Sequence, residues 1–480
     1  MPLAELAAGH YERDGQGDNR KWLVNAYAEP NTSDPARPMR LTRTPGSLLY
    51  SSGLSTSCRG IWYQEGFSDK VVVADGTALK LFPTDFSAPT TMTGTLSGTD
   101  RVQMASSEAE SAFLSDGDIY IAASGATTFA AVTDADFATL LSDHGQTGFS
   151  SIASIGQRLV FTYGSRLGFT DAGDFDATTT LSYYTAESSP DPLVAAVVLG
   201  NTIWLVGTQT IEPWVQTGDN TDPFSPIQVD PIMRGGKCRD SIIQMDNTLI
   251  WIGDDNGVYR LDGMTPTRMD AKDAWVTRMI AETDADDIVC SKEEIDGHAF
   301  YIINTPTGCV CLDLANGTFH KRETYGQTTW EWAYRARAGS LYFAGSRLGA
   351  KLCKLSRDYK WDDLTSASGT GTAISRKFSA HLPSMTGRRA IENVRLDGIT
   401  GAGLASGQGS DPVITMEISV DGGNTFGNGR DRSTGKAGEY NKNPFWTRCG
   451  RARPGQTVFR FTFSEPIDFG ALNVAVNEGL

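Results

Sequence analysis

Along most of the chain, short apolar or aromatic runs come in pairs separated by Gly, Asp or Asn turns. The pairs are DKVVVADGTALKLF, AFLSDGDIYIAASG, GQRLVFTYGSRLGFTD, GNTIWLVGTQTIEPW, DNTLIWIGDDNGVYRLDG, GHAFYIINTPTGCVCLDLANG and GSLYFAGSRLGAKLCKL. β-Branched and aromatic residues alternate in part with polar ones, and the turns hold residues that tolerate positive φ, so each pair reads as a β-hairpin. The turn centres lie near Asp75, Asp118, Gln157, Asn201, Asn247, Asp296 and Gly339 and recur at roughly 40 to 50 residues, the period of propeller blades. A single hairpin unit has a hydrophobic face it cannot bury, so the units must stack around a common core. The pattern predicts a mainly β fold, a propeller-like array of about six to seven antiparallel blades over residues 51–365. Two sequential β-sandwiches would satisfy the same hairpins.

Both flanks depart from this pattern. Residues 1–50 read as an extended N-terminal arm, because NAYAEPNTSDPARPMRLTRTPG carries four prolines that neither a helix interior nor a central strand accepts. Trp22, Leu23, Val24 and Tyr27 either anchor this arm to a neighbour or pack on their own domain, and Arg37, Arg40 and Arg43 are placed to reach acidic groups. Near Ser366 a Ser/Thr/Gly linker precedes longer strands such as VITMEISVD, TVFRFTFSE and ALNVAV, which predicts a C-terminal β-sandwich over residues 366–480. Two helices are expected between blades. TDADFATLLSDHG has Thr133 as its cap, Phe137, Leu140, Leu141 and His144 on one face and Gly145 at its end, and Asp273 to Glu282 buries Trp275, Val276, Met279 and Ile280.

Composition narrows the chemistry. The 480 residues are 40% hydrophobic and 21% charged, an ordinary folded composition, and no apolar stretch approaches the ~20 residues of a membrane span. MPLAELAAGHYERDGQ lacks the basic start and apolar run of a secretory signal, and seven scattered cysteines suit free thiols in a reducing compartment. Cys309 and Cys311 share one strand face and read as buried small hydrophobes, not as half of a metal site. A net charge of −15 argues against nucleic-acid binding by general attraction. From Ser375 onward cations outnumber carboxylates 13 to 10, leaving 29 against 47 before it, so the acid lies in the first three quarters of the chain.

No catalytic constellation emerges, and the chain reads as a non-enzyme with no cofactor and no metal. The five histidines, at 10, 144, 298, 320 and 381, form no metal-binding pair or triad context, and GRDRSTGKA departs from a phosphate loop in spacing. The acidic cluster Glu282, Asp284, Asp286 and Asp287 lacks the glycine and distal Glu of a calcium loop. It suits a solvated blade connection or a channel-facing surface. SVDGGNTF, Ser419 to Phe426, fits the Asp-box turn of sialidase propellers, a structural turn even there.

Several stretches together resemble a known family. The early WLVNAYAEP, the run WLVGTQTIEPWVQTGDNTDPFSPIQ followed by DNTLIWIGDDNGVYRLDGMTPTRM, and the late PFWTRCGRARPG before a FRFTF strand are similar to the packaged-DNA stabilization family, the tail hub or nozzle proteins of short-tailed phages. The resemblance runs in order over most of the chain, with residues 200–270 its most specific part. It implies a six-fold ring, a homohexamer, below the portal and adaptor, and a place in the virion tail after assembly in the host cytoplasm. The implied partners are other copies of the chain, the adaptor, a tail needle or plug, tailspikes or fibres, and genomic DNA that passes through the lumen without sequence-specific binding. An acidic body suits such a wall, because like-charge repulsion keeps phosphate from adhering. Trp446, Arg448, Arg451 and Arg453 are expected either at a subunit or adaptor contact or as a sandwich core Trp with solvated arginines. The alternative function is a glycan-binding or glycan-degrading propeller acting on bacterial surface polysaccharide, suggested by the Asp-box-like turn and the aromatic-rich blades.

Overall fold

The computed structural model describes residues 3–12, 20–31, 39–51, 54–63, 69–186, 191–365, 369–382, 389–453 and 455–478. Two compact units emerge: residues 49–293 with 331–354, and residues 1–48 with 294–330 and 355–480. This division is not sequential as the predicted boundaries are, because strands far apart in the chain pair with one another.

The first unit is the propeller. Six four-stranded antiparallel sheets span residues 58–91, 103–131, 151–185, 193–226, 243–268, and 332–356 joined by Gly46–Ser51. In this last blade the outer strand comes from ahead of the first blade, so early and late chain close one sheet. Hydrophobic clusters are shared between neighbouring blades. Leu79 and Leu81 of the first pack with Phe113 and Tyr120 of the second, and Tyr50, Val73 and Phe82 pack with Phe343 and Leu352. That sharing is how each hairpin unit covers the face it cannot bury alone.

The repeat has a local origin. In each repeat two successive strands, the second and third in the first two blades and the first and second in the others, are joined by a two-residue loop whose first residue has positive φ: Gly76, Asp116, Gly156, Gly200, Asp246, Asp296 and Gly339. Such turns match the twist of the flanking strands and demand Gly, Asn or Asp. The seventh repeat, around Asp296, is a meander over residues 289–321 with the same strand order, but its sheet continues. Its outer strand Thr318–Lys321 pairs in parallel with Leu23–Val24, with Val24 opposite Lys321. The structure therefore has six self-contained blades and a seventh repeat whose edge is extended into a larger sheet.

That larger sheet belongs to the second unit. From the meander its order runs through Leu23–Val24, Arg376–His381, Leu3–Leu6, Gly470–Glu478, Arg389–Gly398 and Phe445–Thr447. The Leu3–Leu6 strand changes partner midway: Leu3 and Ala4 pair with Ala475 and Val474, Glu5 and Leu6 with His381 and Ala380. It thus links the two halves of a β-sandwich whose core holds Phe378, Val394, Trp446, Phe459, Phe461 and Val474. The hairpin of Ala26–Pro30 and Met39–Arg43 joins the same sheet through Leu41, opposite Ala471. Of the two readings of the arm, its described residues follow the second: Leu3–Leu6, Leu23–Val24, Ala26–Pro30 and Met39–Arg43 are strands of the larger sheet, and Gly46–Ser51 is a blade strand.

The helices are shorter than expected. Asp136–Asp143 starts from Ala135 without a side-chain cap, because Thr133 bonds Asp176 and the Asp134 carboxylate receives the Asp136 and Thr178 amides, each at 3.0 Å. Ala274–Ala281 buries Trp275, Val276 and Ile280, with Met279 half-buried.

Candidate functional site

Segments leading into the first strands of the blades, together with parts of those strands, line two cavities in the propeller unit. One, of about 610 Å³, is bordered by Arg101, Lys237, Arg239 and Arg347 and by Asp100, Asp240, Asp286 and Asp287. A second, of about 330 Å³, shares Arg101, Asp240, Val289 and Tyr334 with it and adds Arg59, Lys292 and Arg335. Asp240 stands 3.2 Å from Arg101 Nη1 and 3.4 Å from Arg239 Nη2. Arg347 donates to the Asp287 carbonyl at 3.1 Å, and Arg101 donates to the carbonyls of Asp286 and Ile288. All four members of the Glu282, Asp284, Asp286, Asp287 cluster are exposed, and two of them border the larger cavity. Among the described residues no group of three or more His, Cys, Asp or Glu is arranged to hold a metal ion.

The interface candidates fall into three groups. Trp446 is fully buried, its Nε1 donating to the Arg430 carbonyl at 2.7 Å, so it follows the core reading because a ring of that size has nowhere else to bury its area. Arg43 is also buried; it donates to the carbonyls of Tyr359 and Arg357 and pairs with Asp468 at 3.2 Å. Half-buried Trp22 meets Phe426 edge-on at 5.2 Å, with the Arg460 guanidinium 3.8 Å from the Phe426 centroid. These three side chains are committed within their own unit. Arg40 is exposed and paired with Glu29, Arg448, Arg451 and Arg453 are exposed, and Arg37 lies outside the described residues.

The Asp-box-like turn is a sandwich hairpin tip. The Asp421 carboxylate accepts from the amides of Asn424 at 2.9 Å and Thr425 at 3.0 Å and from the hydroxyls of Ser419 and Thr425, each at 2.6 Å. Hydrogen bonds from Ser419 and Thr425 hold its pKa well below the usual carboxylate range. Gly423, at φ +91°, leaves room for Trp22, whose ring a Cβ there would meet at 2.8 Å. The turn thus seats Trp22 of the arm.

The remaining chemistry is interior. All seven cysteines are buried thiols outside any disulfide, Cys309 and Cys311 at 0% exposure. His10, His298, His320 and His381 are buried and His144 is half-buried against Tyr163 and Tyr183. Burial pulls His10 and His381 down to about 4, whereas the hydrogen bond to Asp313 raises His298. Sequence reading missed Arg322, fully buried with its guanidinium 4.6 Å from the Trp330 ring and 5.2 Å from Phe300. It also missed the cavity cations, which are spread along the sequence from Arg59 to Arg347.

Comparison with known proteins sets these parts in one frame. Solved structures with a similar strand arrangement include PorZ, a bacterial surface component of the type-IX secretion system of Porphyromonas gingivalis, at 12% identity and a TM-score of 0.38, covering 82% of this chain and 46% of that one. The chain therefore spans less than half the length of PorZ. The β-propeller domain of Myceliophteria thermophila Cps50 (Swd1) aligns at 8% identity and a TM-score of 0.44, covering 66% of this chain and 99% of that one. No curated protein matches. Residues 4–345 match the family model described as bacteriophage P22 Gp10, beta-propeller, and residues 376–477 match the one described as bacteriophage P22 Gp10, beta-sandwich. With both parts matched in order over most of its length, the chain belongs to the bacteriophage P22 Gp10 family and is a structural protein of the phage tail nozzle.

Proposed function

We propose that this chain assembles into a six-fold ring below the portal and adaptor, continues the DNA channel, retains the packaged genome and receives the tail needle and the tailspikes or fibres. The observation that carries the reading is the ordered match of propeller and sandwich to the P22 Gp10 models. Exposed Arg448, Arg451 and Arg453 supply a basic patch on the sandwich, in a chain otherwise dominated by carboxylates. Opposite charge on facing surfaces steers such subunits together and fixes their register. The excess of carboxylates over residues 1–374, with Glu282, Asp284, Asp286 and Asp287 exposed, suits a wall along which DNA slides. Docking on the ring above is proposed for the arm hairpin, whose Arg40 is exposed beside Glu29.

The test is the molar ratio of this chain to the portal protein in gradient-purified particles of the source phage, by quantitative mass spectrometry. A fixed ratio of roughly one to two is expected, because the proposed six-fold ring would place six copies on a twelve-subunit portal. Absence from the particles would remove the proposal.

A further inference from the structure

Three Asn-Gly pairs occur in the chain, beginning at Asn256, Asn316 and Asn428. Such pairs cyclise readily, because glycine has no Cβ to keep its amide nitrogen from the preceding carboxamide. The fold treats the three differently. Asn256 Oδ1 accepts from Lys237 Nζ at 2.7 Å, and the Gly257 amide donates to Asp255 Oδ1 at 3.0 Å. Asn316 Nδ2 donates to the Ala28 carbonyl at 2.6 Å and to Asp313 Oδ2 at 2.9 Å, and the Gly317 amide donates to the Asp313 carbonyl at 2.8 Å. In both pairs the carboxamide and the attacking nitrogen are held. Asn428 and Gly429 are both exposed, and among the described residues neither the Asn428 carboxamide nor the Gly429 amide has a hydrogen-bond partner. They lie between the Asp421 turn and the strand Arg430–Ser433, which pairs on one side only, with Val413–Ser419.

We propose that Asn428 is a site of spontaneous modification, converting to aspartate and isoaspartate while Asn256 and Asn316 are protected. The Gly429 nitrogen loses its proton and bonds to Asn428 Cγ, the Cγ–Nδ2 bond breaks, and ammonia leaves with that proton, closing a five-membered succinimide. Water then opens one of the two imide bonds, giving aspartate or, with the main chain rerouted through Cβ, isoaspartate. One water is consumed and one ammonia released, with no oxidant and no cofactor. The product carries a new carboxylate two residues from Arg430, whose guanidinium donates to the Arg448 carbonyl at 3.5 Å. Two residues span at most about 7 Å of chain, within the screening length at physiological salt, so the new charge offsets part of the positive field of this edge of the sandwich. A consequence for assembly, which rests on the ring proposed above, is that aged chains dock less well on an acidic neighbour.

The test is peptide mapping by mass spectrometry of the full chain, aged in mildly alkaline buffer made with heavy-oxygen water so that each conversion carries a solvent oxygen. Asn428 is expected to convert at least about tenfold faster than Asn256 and Asn316, since each of those must first break its hydrogen bonds, and isoaspartate should exceed aspartate. In denaturant those bonds are gone, so the three rates should converge. Asn428→Gln, an exposed substitution that cannot close a five-membered ring, should keep the melting temperature of the unaged chain. Asn428→Asp supplies the charge of the product and is expected to enter particles less readily than Asn428→Gln. Conversion of Asn428 no faster than that of Asn256 and Asn316, or a rate difference that persists in denaturant, would overturn the modification. Equal incorporation of the two variants would overturn its consequence for assembly, while the ring itself stands or falls on the ratio to the portal.

Discussion

Asn25 holds a left-handed backbone conformation, φ +54°, and uses its whole amide. Its Nδ2 donates to the carbonyls of Glu323 and Ser375, and its Oδ1 accepts the Glu323 amide, each at 2.9 Å. Asn tolerates that conformation and here bridges segments some three hundred residues apart, a role no local pattern reveals. Asn25→Ala strands three half-buried backbone groups and adds backbone strain, so a loss of roughly 2 to 3 kcal/mol is expected from denaturant unfolding. Asn25→Gly relieves the strain but not the lost bonds, and should fall between wild type and Ala. Two histidines give the same unit a pH dependence. His10 Nδ1 accepts the Leu23 amide at 3.3 Å, and His381 lies 3.1 Å from Ser379 Oγ, both with pKa depressed to about 4 by burial. A depressed folded pKa means that the unfolded chain binds the extra proton first. Stability is therefore full above pH 6.5 and is lost as pH falls toward about 4, by up to roughly 3 kcal/mol for each fully buried histidine. His298, raised by Asp313, acts in the opposite sense. Melting temperatures between pH 7 and pH 4 should fall, and the His10→Gln, His381→Gln double variant should flatten the slope.

At the scale of elements, the hairpins were legible because their signal is local: a two-residue turn needing positive φ, between runs of β-formers. Asp116, Asp246 and Asp296 take the first turn position where other repeats use Gly, and all have φ near +50°. Pairings between distant segments were not legible. The Leu3–Leu6 and Leu23–Val24 strands are too short to carry a period, and the prolines near them pointed to an arm rather than to sandwich strands. Thr133 looked like a helix cap until Asp176, forty-three residues on, proved the better partner. The strand Gly46–Ser51 shows what such a distant pairing contributes. Tyr50 stacks on Phe86 at 4.5 Å, meets Phe82 edge-on at 5.2 Å and donates to the carbonyls of Pro83 at 2.7 Å and Ser87 at 2.8 Å. Tyr50→Ala is expected to cost about 3 to 5 kcal/mol and to raise the rate of limited proteolysis, whereas Tyr50→Phe keeps the packing and loses about 1 kcal/mol. Equal stability of the two variants would mean that the strand is held by its backbone alone.

For the whole molecule, sequence order was a better guide to family than to boundaries, since family similarity follows the chain while compact units follow pairing. The same distinction decides which candidate residues can serve assembly. Trp446, Arg43 and Trp22 have partners inside their unit, so changing them tests folding. Arg448, Arg451 and Arg453 are exposed, so reversing their charge should leave the fold intact while disturbing a contact between chains. Arg451 is the cleanest probe, because Arg448 sits at φ +55° and a substitution there mixes backbone with charge. Under the proposed ring, Arg451→Glu with Arg453→Glu places like charges against an acidic neighbour and opposes docking. The expected outcome is a melting temperature within about 2 °C of wild type, as for surface substitutions generally, with reduced incorporation into particles and loss of packaged DNA. Reverting one charge should restore part of the incorporation, and lowering the ionic strength should deepen the defect, because repulsion is screened by salt. Full incorporation and DNA retention by the doubly reversed variant would remove this patch from the assembly surface while leaving the ring to be tested by its ratio to the portal.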